Sequence, residues 1–200
     1  MPAAAMKHAI ERSDVLDADA FARERAERRA RVLAVKRERR VAVGPYASFY
    51  FENYDTIWWQ VHEMLRIEGG GEAQIADELG AYNPLVPNGR ELVATLMFEI
   101  DNPARRAEVL AELGGVENMI VLRIGAFTVA ARPEADVERT DETGKTSAVH
   151  FLHFPFTPSA IAAFKDENQP AVLAFEHPRY GHMVGLPLAT RRALAADFAA

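Results

Sequence analysis

No cysteine occurs among the 200 residues. Its absence excludes disulfides, iron–sulfur clusters, thiolate zinc sites and cysteine nucleophiles together. Any metal must be held by His, Asp, Glu or Tyr, which points to iron, manganese or zinc as a divalent ion. No apolar run approaches the ~20 residues of a membrane helix, so no membrane partner is expected. The opening MPAAAMKHAIERSD lacks the apolar centre of an export signal. The expectation is a soluble, cytoplasmic protein. Gly69-Gly70-Gly71 lacks the Lys-Ser/Thr that completes a phosphate-binding loop. No complete catalytic motif, internal repeat or low-complexity linker is present, so the sequence leaves open whether the protein is an enzyme.

What is there is charge of uneven sign. Residues 1–40 carry eleven Lys or Arg and seven Asp or Glu, a balance of +4, whereas the rest carries twelve and twenty-two, a balance of −10. The basic excess lies between Arg23 and Arg40. Such a run can meet nucleic acid or an acidic protein face, but an acidic body opposes phosphate, so nucleic acid is the weakest partner.

Residues 1–12 read as a frayed lead. Ser13 or Asp17 then caps a helix to about Arg40, with a narrow face of Ala22, Ala26, Ala30 and Leu33 that Phe21, Val32 and Val35 help to dock, though weakly. This face is too poor to hold the helix alone, so another element or a second copy of the chain is expected against it. RRVAVGPYASFYFEN reads as a β-hairpin broken at Gly44-Pro45. Asn53 caps YDTIWWQVHEMLRIE, whose stripe Ile57, Val61 and Leu65 should bury Trp58. EAQIADELGAY follows as a short helix. Asn88 and Glu91 resemble a capping box that opens a helix RELVATLMFEI. ARRAEVLAEL completes a helical block.

The second half reads as strands. Gly125-Ala126 suits a II′ turn that pairs Leu122 with Val129. PEADVERTDETGKTS is a polar loop or exposed hairpin, and VHFLHFPF a strand. Thr157-Pro158 starts a helix, leaving a connection long enough for a parallel crossover. Pro187 opens a last helix. The fold class expected is α+β: an N-terminal helical block packed on a mixed, mostly antiparallel β-sheet. A basic helical arm, 1–40, precedes a single domain, 41–200.

Four of the six histidines fall in the stretch 148–187. AVLAFE and HMVGLP flank Pro178-Arg179-Tyr180-Gly181, which reads as a four-residue hairpin loop. That register sets His177 opposite His182, on a face otherwise formed by Leu173, Phe175, Val184 and Leu186. Two facing imidazoles can share a metal. A third ligand is needed, and the candidates are His62, Glu63, His153, Tyr180 and Glu176, with His62 or Glu63 preferred. His62 and Glu63 are adjacent and point about 100° apart, so they do not make the Glu-to-His spacing of ferritin-like di-iron helices.

The segments RRVAVGPYASFYFENYDTIWWQVHEMLRIEGG, YNPLVPNGRELVATLMFEID, VHFLHFPFTP and HPRYGHM resemble a bacterial family of roughly 200-residue proteins known only as a domain of unknown function. The likeness runs from about Ser13 to the C-terminus. It implies a genomic setting beside rubrerythrin-like and iron–sulfur oxidoreductase proteins. The function expected is a metal-binding accessory protein, with iron the first candidate, in redox or peroxide-stress physiology. The alternative is a non-catalytic partner or scaffold of an oxidoreductase complex.

Overall fold

A computed structural model describes residues 7–134, 140 and 144–199. In chain order the elements are α1 (Ala18–Glu38), β1 (Arg40–Val43), β2 (Ala47–Glu52), α2 (Tyr54–Glu68), α3 (Gly71–Tyr82), β3 (Glu91–Phe98), α4 (Pro103–Ala111), β4 (Ile120–Ile124), β5 (Phe127–Ala130), β6 (Arg132–Pro133), β7 (Val149–Pro155), α5 (Pro158–Lys165), β8 (Ala171–Phe175), β9 (Met183–Gly185) and α6 (Leu188–Ala195). The protein is α+β. The strands form two sheets, in the orders β1-β2-β3-β7-β6 and β5-β4-β8-β9. Every strand pair among the described residues is antiparallel. The expected parallel crossover is absent, because β7 and β8 lie in different sheets.

The sheets meet face to face. Phe49 and Phe98 of the first pack on Phe175 of the second, in one apolar core with Leu92, Leu122 and Leu173. α1 and α2 cover the outer face of the first sheet, where Val93 and Phe151 join Phe21, Ile57, Trp58 and Trp59. The order of layers is therefore helices, five-stranded sheet, four-stranded sheet.

Local chemistry explains most boundaries. Asn53 and Thr56 cap α2 reciprocally, each side chain taking the other's backbone N–H at 3.0 Å. Gly69 ends that helix with φ 66°. Gly125 supplies the positive φ, 52°, that the β4–β5 turn requires, and Leu122 pairs with Val129 as expected.

One expected helix is a strand. RELVATLMFEI contributes β3, the centre of the first sheet, paired with β2 and β7. Asn88 does not cap a helix; its Oδ1 accepts the N–H of Arg90, two residues on, at 2.9 Å, which shapes a turn. Leu92, Ala94, Leu96 and Phe98 then alternate into the sandwich, while Val93 meets the helices. A short apolar run buried on both faces carries no period that distinguishes strand from helix.

The helix α1 also differs in part of its docking face. Ala22, Ala26, Ala30 and Leu33 are exposed. Docking uses Phe21 and Val32, as expected, and with them Arg25 and Arg28 in place of the alanines. Arg25 grips Glu63 with two hydrogen bonds of 2.7 and 2.9 Å, and Arg28 lies 4.3 Å over the Trp58 ring. Residues 7–12, expected to fray, pack down as well: Ile10 is buried and its backbone makes two hydrogen bonds with the Asn83 side chain. Arg39 is buried behind α6, where it donates to the carbonyls of Phe51, Glu52 and Ala193 and pairs with Asp197. The polar loop expected over 133–147 falls mainly on residues outside the described ones; an antiparallel bridge, Thr140 to Thr146, flanks it.

Candidate functional site

The histidine hairpin has a different register from the one its loop suggested. β8 and β9 pair Leu173 with Val184 and Ala174 with Met183. The Phe175 N–H donates to the His182 carbonyl at 2.8 Å, and the Tyr180 N–H donates to the His177 carbonyl at 2.9 Å. His177 therefore opposes Tyr180, not His182. Pro178-Arg179 alone occupies the centre of the turn. The register is decided elsewhere, by Tyr180. Its ring is buried against Phe98 and Phe175. Its hydroxyl donates to the Val43 carbonyl at 2.9 Å and accepts the N–H groups of Tyr46 and Ala47 at 3.0 Å each. A four-residue loop would have left this side chain in solvent.

The remaining metal candidates are held by other partners. His177, 5% exposed, accepts the Arg179 N–H at Nδ1, 3.2 Å away. His182 is exposed and packs edge-on against Tyr180, over the space where a Gly44 side chain would stand. His62 uses both nitrogens: Nδ1 donates to the Trp58 carbonyl at 2.8 Å and Nε2 accepts the Leu16 N–H at 3.0 Å. Burial pushes its pKa down. Glu63 is held at about 2, chiefly by its hydrogen bonds to Arg25. His153 lies between two carboxylates, with Nδ1 3.1 Å from Glu91 and Nε2 3.9 Å from Glu134. The hydrogen bond with Glu91 raises its pKa most. Because the carboxylates bind opposite sides of the ring, they do not converge on one ion. Glu176 pairs with Arg123 at the surface. Among the described residues no three His, Cys, Asp or Glu side chains are grouped to hold a metal ion. The seven candidate ligands thus do not converge on one ion in this arrangement.

A different site lies on the outer face of the five-stranded sheet, where α2 leaves part of the sheet uncovered. It is a cleft of about 250 Å³. Its floor is Tyr50, Thr95, Met97, Val149 and Phe151, from three adjacent strands. Ile57 and Gln60 of α2 form one wall, Tyr82 and Leu85 another, and Lys36 of α1 stands at the rim. Glu52 occupies the inner corner and is buried. Thr56 Oγ1 donates to Glu52 Oε2 at 2.5 Å, and Thr95 Oγ1 donates to Oε1 at 2.7 Å. Each oxygen keeps a further lone pair. The carboxylate also lies at the N-terminal end of α2, where the helix dipole favours negative charge. Neither Glu52 nor Lys36 makes an ion pair among the described residues.

The sequence reading missed this cleft. The one local signal was Glu52 itself, a carboxylate in line with Ser48 and Tyr50 on the outer face of an aromatic strand. Its partner Thr95 was hidden once β3 was taken for a helix.

A family model described as "Protein of unknown function (DUF3501)" matches residues 9–198. The chain belongs to this family. Among solved structures, it is similar to the crystal structure of a novel protein of unknown function from Burkholderia pseudomallei K96243. The two are 38% identical, the match covers 95% of this chain and 99% of that one, and the TM-score is 0.87. No curated protein matches the chain. The DUF3501 match spans nearly all of the fold described above, cleft included, and the likeness in sequence and in structure agree. No helix among the described residues is long and apolar enough to cross a membrane.

Proposed function

We propose that this DUF3501 protein is a non-catalytic accessory protein that binds a small organic ligand in the cleft over the five-stranded sheet. The observation that carries this reading is Glu52: a buried carboxylate with two hydroxyl donors and, among the described residues, no cationic partner, lining a largely apolar cleft. Apolar concavities with a few convergent polar groups are the usual form of small-molecule sites. The reading assigns binding and no chemical step to these groups, whose hydroxyl protons hold the carboxylate in place. The setting beside oxidoreductases that the family resemblance implies makes a redox complex the proposed context, with this protein as the ligand-responsive partner of a metal-carrying one.

The test is thermal denaturation in the presence of a broad set of small metabolites, on the wild type and on Met97→Trp, which fills the cleft from its floor. A ligand at a hundred times its dissociation constant adds about 2.7 kcal/mol of stability, which is visible as a raised melting temperature. Ligands should raise it for the wild type and leave Met97→Trp unmoved. Equal shifts in both proteins, or no shift with any ligand, overturn the proposal.

A further inference from the structure

The cleft carries two opposite charges that do not neutralise each other. Glu52 lies at the inner corner, on β2, and Lys36 at the rim, on α1. On the reading of the cleft as a ligand site, we infer that its ligand is a zwitterion of amino-acid size with an apolar side chain. The ammonium of such a ligand meets the two unused lone pairs of Glu52, and its carboxylate meets Lys36. Charge-assisted hydrogen bonds of this kind are roughly twice as strong as neutral ones, and here one end of the ligand is shielded from water. Gln60, which also lines the cleft, offers both a donor and an acceptor to the ligand's polar end. The side chain of the ligand falls on Met97, Val149 and Phe151. The volume, about 250 Å³, is below the range of about 300–1,000 Å³ typical of drug-sized ligands, which sets the size at a single amino acid.

A simple cation would satisfy Glu52 and leave Lys36 unused, and a simple anion the reverse. The two charges select a molecule that carries both.

Calorimetric titration of the full chain tests this with four probes: L-leucine, L-phenylalanine, 2-phenylethylamine and 3-phenylpropanoate. The amino acids should bind about tenfold or more tightly than either single-charge analogue, the factor that about 1.4 kcal/mol of lost interaction produces. Glu52→Gln keeps the shape of the corner and should weaken L-phenylalanine about tenfold or more while leaving 3-phenylpropanoate unchanged. Lys36→Met is a rim substitution with little bearing on folding. It should weaken L-phenylalanine and 3-phenylpropanoate and leave 2-phenylethylamine unchanged. If 2-phenylethylamine binds as tightly as L-phenylalanine, and Met97→Trp abolishes both, the zwitterion is wrong and the cleft remains a ligand site. If neither amino acid binds, the zwitterion is likewise wrong, and the metabolite screen alone decides the cleft. If L-phenylalanine binds equally to wild type and Met97→Trp, it binds elsewhere and the inference is overturned.

Discussion

The two sides of the five-stranded sheet are joined to their neighbours by different physics. On the inner side, Phe49, Leu96, Phe98 and Leu152 meet the second sheet mainly through apolar contact, with the Tyr180 hydroxyl tying one end to the β1–β2 turn. On the outer side the helices dock through directional groups as well. Arg25 pairs with Glu63, Arg28 stacks on Trp58, His62 links Trp58 to Leu16, and the Trp58 indole N–H reaches the Asp14 carbonyl at 2.8 Å. Apolar burial is indifferent to protonation, whereas arginine–carboxylate and histidine contacts are not. The inner contacts of the sandwich respond least to pH and salt, and the charged contacts of the sheet's outer side respond most.

The largest effects should separate the two sides by where the chain opens. Phe49→Ala removes a fully buried ring from the sandwich and should cost about 4 kcal/mol, with cooperative loss of the whole fold in a denaturant titration. Trp58→Ala should cost about 3 kcal/mol and, before global unfolding, expose α1 and residues 7–16 to limited proteolysis. Were both variants to unfold in one step with the N-terminal segment equally protected, the contrast between the sides would be lost. Tyr180→Phe leaves the ring in place and strips three hydrogen bonds from the β1–β2 turn. A cost of about 2 kcal/mol is expected from the buried groups left unpaired, measured by chemical denaturation. Arg28→Ala removes a stacked guanidinium whose contribution at a partly exposed site is about 0.5–1 kcal/mol. A cost above that of Tyr180→Phe would mean that α1 carries more of the fold than its contacts indicate.

The smallest expected effect is a slope. His62 has a lowered pKa in the fold, so the unfolded chain takes up its proton first. Its contribution is complete above the ordinary value of 6.5 and is lost as pH falls below it. His153 has a raised pKa, so its contribution is complete below 6.5 and is lost as pH climbs through the raised value. Stability measured from pH 5 to 8 should therefore rise more steeply with pH in His153→Gln than in the wild type, and less steeply in His62→Gln. Parallel curves for all three proteins would remove the titratable distinction between the layers.

What was legible in the sequence is what local chemistry decides. The Asn53 cap, the Gly69 stop, the Gly125 turn and the Pro187 boundary all satisfy needs met within a few residues. The errors arose where a distant group decides. β3 was ambiguous because Leu92 to Phe98 is apolar on both faces. The docking side of α1 was legible at Phe21 and Val32 but not beside them, because Arg25 and Arg28 read as solvent-facing while the alanines that face water read as apolar. The His177–His182 pairing failed because the register answers to the β1–β2 turn, 134 residues away from Tyr180. The cleft escaped for the same reason: Lys36, Glu52, Gln60 and Thr95 come from four elements that only the folded chain brings together.

The buried Arg39–Asp197 pair sets a condition on how the chain is made. Arg39 and Asp197 are 158 positions apart, so the guanidinium is made long before its counter-charge. Until then the nascent guanidinium has carbonyls of Phe51 and Glu52 but no counter-charge, and a buried ion without its partner is strongly unfavourable. The junction of α1 with the first hairpin should thus stay hydrated during synthesis until Asp197 has been made. A chain cut just before Asp197 would keep every strand and yet never seal, a ready substrate for cellular proteases.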